Sequence, residues 1–109
     1  MANTRQETQR LLRIIQFGKQ NAIHAKDIAR ALSYPIGGNQ VETRSLIRYA
    51  IQQGNIILSS PKIGYWRSNN KQEVADYINA LIARATDINS RSTEIKTAWN
   101  QANQNNIIP

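Results

Sequence analysis

The chain has 109 residues, 40% of them hydrophobic, and a net charge of +7 at neutral pH. This size allows one compact domain with an appendage and excludes two separate hydrophobic cores. The lack of cysteine excludes disulfides and thiolate metal sites. The polar N-terminus and the lack of an apolar run of roughly 18 residues argue against a secretory signal and a membrane span, so we expect a cytoplasmic protein.

The first predicted element is a helix over residues 5–17, RQETQRLLRIIQF, because its apolar residues recur at helical spacing. Thr4 is the expected N-cap, Glu7 occupies the capping-box position, and Gly18 ends the helix. The apolar face of this helix contains Leu11, Leu12, Ile14, Ile15 and Phe17.

A second, shorter helix is predicted over residues 25–32, AKDIARAL. His24 stands at its N-cap position, and we expect this single histidine to be a cap or surface residue rather than a metal ligand. Residues 33–38 then contain Pro35 and two adjacent glycines, which cannot continue a helix.

The third helix is predicted over residues 40–53, QVETRSLIRYAIQQ, with Asn39 as N-cap and Gly54 as its C-terminal stop. Helical spacing divides it into two faces. The inward face contains Thr43, Leu46, Ile47, Ala50 and Ile51. The outward face contains Glu42, Arg44, Ser45, Arg48 and Tyr49.

The pattern then changes to the alternation typical of strands, which predicts a β-hairpin. Its strands cover residues 55–59 and 65–67, and residues 60–64 form the turn. Tyr65 and Trp66 alternate across the second strand, so we expect one in the core and the other over the hairpin or against the last helix. Stacking of either ring on a base is the weaker alternative.

Asn69 and Asn70 open the last predicted helix, residues 71–102, which keeps a 3.5-residue apolar repeat over four heptads. The repeat consists of Val74, Ile78, Leu81, Ala85, Ile88, Ser92, Ile95, Trp99 and Ala102. Because the preceding domain is too small to cover this face, we expect two copies to pair as a coiled coil, with orientation and strand number open. The residues expected to carry dimerisation are Val74, Ile78, Leu81, Ile88, Ile95 and Trp99.

Two further expectations concern the end of the chain. The alternative to pairing is a helix that breaks near Asn89 and Ser90 and folds back on itself. The Asn- and Gln-rich tail, residues 103–109, is expected to fray.

The order of these elements predicts a mainly α protein with a small β-hairpin: a winged helix-turn-helix domain over residues 1–70, then a C-terminal dimerisation helix and tail over residues 71–109. In such a domain the first two helices hold the third at a fixed angle. The third helix fits the major groove of B-DNA, and the hairpin forms a wing beside the phosphate backbone.

Basic charge is concentrated in the predicted DNA-binding part of the chain. Residues 1–72 carry eleven Lys and Arg against three Asp and Glu, or +8, whereas residues 73–109 carry three against four, or −1. A basic surface is expected to face a polyanion, although Asp27 and Glu42 interrupt this one. The predicted DNA-binding residues are Asn39, Gln40, Arg44, Ser45, Arg48, Lys62 and Arg67.

Residues 41–67 resemble the helix–wing unit of small phage and bacterial winged helix-turn-helix DNA-binding proteins. Arg48 and Gly54 match the end of the family's helix, and Ser59-Ser60-Pro61-Lys62 with Gly64-Tyr65-Trp66 match its hairpin. Ile63 departs from the pattern by adding a residue to the turn. The resemblance covers residues 8–80 and implies DNA binding, often regulatory, without enzymatic activity.

The favoured function is a homodimeric transcriptional regulator of a phage or bacterium that binds double-stranded DNA and uses no cofactor or metal. We expect it in the cytoplasm of the bacterial or phage-infected cell. One alternative is a winged-helix protein-interaction module or inhibitor, for example one directed at a host factor. Another is a replication or architectural protein that binds DNA without sequence preference. Catalysis is not expected, because the chain has no cysteine, a single histidine, no phosphate-binding glycine loop and no nucleophile elbow.

Overall fold

The computed structural model describes residues 4–109, so the first three residues of the polar N-terminal stretch lie outside it. The described chain has a mainly helical, winged-helix-like layout with four α-helices and one two-stranded antiparallel hairpin. It divides into two compact units, the first ending at Val74 and the second running from Ala75 to Pro109. The division lies beyond the predicted boundary at residue 70, because Trp66 in the hairpin donates a hydrogen bond to Glu73 at 3.3 Å.

Helix α1 (Arg5–Ile14) begins as predicted, and the Thr4 hydroxyl caps it by accepting a hydrogen bond from the Glu7 amide at 3.2 Å. The helix ends three residues before the predicted Phe17, because the next residues pair with Arg67. The Arg67 amide donates to the Gln16 carbonyl at 2.9 Å, and the Gly18 amide donates to the Arg67 carbonyl at 3.0 Å. Phe17, which we predicted on the buried helix face, is consequently 47% exposed.

Helix α2 (Ala25–Leu32) has the predicted bounds. His24 occupies the N-cap position, but its side chain makes no capping hydrogen bond. Ser33 ends the helix in the left-handed conformation, with φ of 61°, before the loop that contains Pro35.

Helix α3 (Val41–Gln52) starts one residue later than predicted and follows a single 3₁₀ turn, Gly38–Gln40. The prediction of Asn39 as N-cap is wrong: Gln40 holds that position, and no side chain caps the helix. Both Asn39 and Gln40 have positive φ, 63° and 54°, and this left-handed backbone cannot belong to the helix. The helix ends before Gly54, whose φ of 102° favours glycine.

The hairpin consists of β1 (Ile57–Ser60) and β2 (Gly64–Arg67). In its register Leu58 lies opposite Trp66, and Ser60 lies opposite Gly64 at the turn. Strand β1 starts two residues later than predicted, because both the amide and the side chain of Asn55 donate to the Ala50 carbonyl, at 3.1 Å and 2.9 Å. This contact keeps Asn55 at the end of α3.

One hydrophobic core joins α1, α2, α3 and β1. It consists of Leu11, Ile15, Ile28, Ala29, Leu32, Tyr34, Leu46, Ile47, Ala50 and Ile57. The predicted inward face of α3 is confirmed except at Ile51, which is 45% exposed. The chain after α3 turns back over Ala50 and leaves Ile51 in the last turn uncovered.

Helix α4 (Lys71–Ala102) has the predicted bounds and is continuous, so the predicted alternative of a break near Asn89 and Ser90 is not observed. The Asn70 side chain accepts a hydrogen bond from the Glu73 amide at 2.9 Å and so caps the helix. None of the residues of α4 is buried.

The tail after α4 differs from the expected frayed end. The Trp99 indole N–H donates to the Asn106 carbonyl at 2.9 Å. The Asn100 side chain donates to the Ile108 carbonyl at 3.1 Å and accepts from the Ile108 amide at 2.8 Å. The tail therefore turns back onto the last turn of the helix, using side-chain amides as partners for its backbone.

Candidate nucleic-acid interface

The exposed face of α3 carries basic side chains opposite the face that packs into the core. Thr43 and Leu46 have no exposed surface, whereas Arg44 and Arg48 are exposed, as is Ser45 between them. The two arginines are four residues apart and therefore project from the same side, about 6 Å apart along the helix axis. The core fixes the position of both, because the opposite side of the helix is buried.

Arg44 links α3 to two neighbouring segments. Its Nε donates to the Asn39 carbonyl at 2.6 Å, and its Nη1 donates to the Tyr65 hydroxyl at 2.9 Å. These bonds use two of the five guanidinium donors, so three stay available for a ligand. Arg44 thereby holds the start of α3 against strand β2.

Arg48 lies one turn beyond Arg44 on α3 and has different surroundings. Within the described part of the chain it makes no hydrogen bond and no ion pair, and its side chain is exposed. Two of its five N–H donors can therefore bind a planar acceptor pair, such as two phosphate oxygens or the edge of a guanine.

The loop before α3 departs from what we predicted for its polar side chains. Gln40 is half-buried, and its side-chain amide donates to the Ile36 carbonyl at 2.6 Å, so it stabilises the loop. Asn39 is exposed and contributes its carbonyl to Arg44. The N-cap residue of α3, Gln40, makes no side-chain capping hydrogen bond, and the 3₁₀ turn leads directly into the helix.

Lys62 lies in the hairpin turn and is exposed. The turn is compact, since the Lys62 amide donates to the Ser60 hydroxyl at 3.3 Å. The hairpin is fixed to the connection between α1 and α2, where Tyr65 and Ile23 exchange two backbone hydrogen bonds of 2.8 Å and 2.9 Å. Lys62 therefore projects from a rigid support.

Arg67 has a different environment from the other predicted contact residues. It is half-buried, its guanidinium carbon lies 4.3 Å from the centre of the Phe17 ring, and its Nη1 donates to the Leu12 carbonyl at 3.5 Å. The prediction that Arg67 contacts DNA is therefore not supported by its placement, because the end of α1 occupies its side chain. Among the predicted basic contact residues, three are exposed, and we call them the exposed basic set: Arg44, Arg48 and Lys62.

No known family, curated protein or solved structure matches the chain. Among residues 4–109, none of the helices combines the length and apolar content that crossing a bilayer requires. In the same residues no three His, Asp or Glu side chains are grouped as metal ligands would be.

The two acidic residues that were expected to interrupt the basic surface, Asp27 and Glu42, are partly buried or paired with a basic residue. Glu42 is half-buried, with one carboxylate oxygen buried, although we expected it to face outward. Asp27 forms an ion pair with Arg30 at 3.2 Å.

Burial raises the pKa of the Tyr34 hydroxyl above its usual value of 10.0, and the carboxylates of Glu7 and Glu42 raise it further against the opposing effect of Arg10.

The two aromatic residues of β2, Tyr65 and Trp66, lie on opposite faces of the strand, as predicted. Trp66 is buried, donates to Glu73 of α4, and lies with its ring centre 5.7 Å from the Lys19 ammonium. Tyr65 packs against the core and presents its hydroxyl to Arg44. This second contact was not predicted, because no local pattern relates two residues 21 positions apart.

The predicted dimerisation residues all lie on α4, and all but one are exposed. The exposed fraction is 48% for Ile78, 42% for Leu81, 53% for Ile88, 70% for Ile95 and 41% for Trp99. Val74, at the end of the first unit, is half-buried. Ile82, beside the predicted repeat, is 59% exposed and widens the apolar face.

Proposed function

We propose that the protein binds double-stranded DNA through α3 and the hairpin and regulates transcription in a bacterium or phage, without catalysing a reaction. The observation that carries the proposal is the pair of exposed guanidinium groups, Arg44 and Arg48, on a helix whose other side forms the core. An α-helix fits the major groove, and arginine is the commonest side chain that recognises guanine there.

The surroundings of this pair support the same function. Arg44 is bonded to Tyr65 in β2, so α3 and the hairpin form one surface, with Lys62 at the turn for a phosphate. Ser45, also exposed, is short enough to allow close approach of the backbone of a duplex. The charge of +8 on residues 1–72 favours a polyanion, and the proposal places the protein in the cytoplasm with its DNA.

We also propose that two copies pair through the apolar face of α4. Burial of a large aliphatic side chain contributes about 1.5–3 kcal/mol, and several such side chains are exposed on this helix. Pairing would join two DNA-binding units, so that the second binds at a high effective concentration once the first is bound.

The test is a double variant, Arg44→Ala with Arg48→Ala, measured by fluorescence anisotropy on a duplex selected from a random library. A specific base contact contributes about 1–3 kcal/mol, so loss of two should weaken binding at least about 30-fold. The matched control, Arg5→Ala with Arg13→Ala, removes the same charge from exposed positions of α1, which packs against the buried side of α3. The control should bind within about threefold of the unaltered protein.

Three outcomes separate this function from its alternatives. Unchanged affinity of the folded Arg44 and Arg48 variant would remove α3 from the mechanism. An affinity that stays flat between about 50 and 200 mM salt would favour a protein-interaction module, because phosphate contacts weaken steeply over that range. Equal binding to random and selected duplexes would favour an architectural or replication protein.

A further inference from the structure

The apolar face of α4 is suited to a second copy of the same helix. Its repeat of alternating three- and four-residue steps stays in register with another helix of the same repeat. Complete burial of its large apolar residues would remove at most roughly 1,200 Å² from water over two copies, at the lower end of the range for stable interfaces. This inference rests on the proposed self-association, and it specifies the orientation.

We propose that the two α4 helices pair in antiparallel orientation. The apolar face consists of two alternating sets of residues. One set is uneven in size and contains Ile78, Ala85, Ser92 and Trp99. The other set consists of Val74, Leu81, Ile88, Ile95 and Ala102, and its three central members are uniformly large. In a parallel pair each residue meets its own copy, whereas in an antiparallel pair residues of one set meet residues of the other.

The side chains that face each other at one level of the helix pair form a layer. Parallel pairing produces layers of very different width. Ala85 would meet Ala85 of the second copy and Ser92 would meet Ser92, so both layers would hold little more than methyl and hydroxyl groups. The Trp99 layer would contain two indole rings. One spacing between two regular helices cannot fill the first layers and accommodate the last, and unfilled layers reduce stability.

Antiparallel pairing makes the layers more even. Ala85 and Ser92 each meet Ile or Leu of the second copy, and Trp99 meets a single aliphatic side chain rather than another indole. The Ser92 hydroxyl can bond within its own helix to the carbonyl four residues earlier, so its burial leaves no unsatisfied donor. Every layer then holds at least one large apolar side chain.

Charge does not decide between the orientations. In either one, Arg91 beside the apolar face approaches a basic residue of the second copy, Lys96 in the parallel pair and an arginine in the antiparallel pair. Arg91 is held within its own helix by Asp87 at 3.0 Å, which offsets its charge in both cases. Packing of the layers therefore decides the orientation.

The test uses disulfide crosslinking, which the cysteine-free chain allows without background. The full chain carrying Ile78→Cys is oxidised alone, and also in a mixture with a longer tagged chain carrying Ile95→Cys or Ala102→Cys. Antiparallel pairing separates the two copies of position 78 by roughly 25 Å or more along the axis, so Ile78→Cys alone should stay uncrosslinked. One of the mixtures should give a crosslinked species of mixed length.

The control variant is Ser90→Cys on the outer side of α4, which should crosslink in neither orientation and so measures random oxidation. Efficient crosslinking of Ile78→Cys to itself would overturn the proposal in favour of parallel pairing. Sedimentation of the unaltered chain as a monomer would overturn pairing altogether. DNA binding is measured separately on the same proteins, so failure of the pairing and failure of the proposed function are distinguishable.

Discussion

Gly64 lies where two backbone segments of the first unit approach each other closely. It has a φ of +100°, and a Cβ at this position would collide with the carbonyl group of Ile23. The collision cannot be relieved by a side-chain rotation, since the neighbouring atoms belong to the backbone. The hairpin therefore depends on this glycine for its attachment to the rest of the fold.

Three glycine variants separate the contributions of space and backbone conformation. Gly64→Ala should reduce the free energy of unfolding by about 3 kcal/mol or more, because it combines a collision with positive φ. Gly38→Ala, with φ of +62° but open space, should cost about 1 kcal/mol. Gly37→Ala, open and without positive φ, should be neutral or stabilise by up to about 1 kcal/mol. Urea unfolding followed by circular dichroism measures all three, and equal losses for Gly64→Ala and Gly38→Ala would contradict the close approach.

Tyr34 predicts a pH dependence of stability above pH 10. Its pKa is raised in the folded state by burial and by the carboxylates of Glu7 and Glu42. Between the usual value of 10.0 and the raised value, the unfolded chain has lost the phenolic proton while the folded chain retains it, so stability falls as pH rises. The contribution is fully present below pH 10.

The variant Tyr34→Phe isolates this effect. Denaturant unfolding at pH 9 and pH 11 should show a smaller loss of stability in the variant than in the unaltered protein. The Phe17→Leu variant serves as a control, because this ring is exposed and lacks a titratable group. The same loss in Tyr34→Phe as in the unaltered protein would assign the pH dependence to other groups.

The two helices whose bounds were predicted correctly, α2 and α4, each have a strong local signal at one end. Helix α2 ends before a loop with Pro35 and two glycines, and α4 is capped by Asn70. The end of α1 depends instead on pairing with Arg67, some fifty residues away, which no local pattern reveals. The tail was expected to fray, but its backbone forms hydrogen bonds with side chains on the last turn of α4, which no local pattern reveals either.

Local sequence patterns predicted part of the candidate interface, in the same way as they predicted part of the fold. Helical periodicity placed Arg44 and Arg48 on the exposed face of α3, and the turn position exposed Lys62. Strand alternation gave two faces for β2 without indicating which face meets α1, so the placement of Arg67 over Phe17 could not be predicted. The bond between Arg44 and Tyr65 joins separate elements and required the folded chain.

At the scale of the whole molecule, the basic charge and the exposed apolar face belong to different units. Residues 1–74 carry eleven Lys and Arg against four Asp and Glu, or +7, and residues 75–109 carry three against three, or no net charge. The exposed large apolar residues of α4 from Ile78 to Trp99 lie in the second unit. The proposed DNA binding and the proposed pairing can therefore be tested one at a time by substitution.

We predict that Ile88→Asp, which places a charge in the apolar face, yields a monomer with weaker and less salt-dependent DNA binding. Affinity should fall about a hundredfold, because the gain from linking two units is lost. The slope of log Kd against log salt should fall to about half, because half as many phosphates are contacted. Anisotropy between about 50 and 200 mM salt measures both quantities.

Thr97→Asp is the matched control for this prediction, since it adds the same charge to an exposed position on the outer side of α4. It should leave affinity and slope close to those of the unaltered protein. A monomeric Ile88→Asp variant that kept the full slope would mean that one copy makes all the phosphate contacts.

The double attachment of Arg44 to Asn39 and Tyr65 bears on how a duplex would be selected. Changing the spacing between α3 and the hairpin would break a hydrogen bond from a charged donor, so the protein offers a nearly fixed template. A DNA partner would then have to adapt its groove width and curvature to that template. Base pairs that no side chain touches would still influence affinity, through the local stiffness of the double helix.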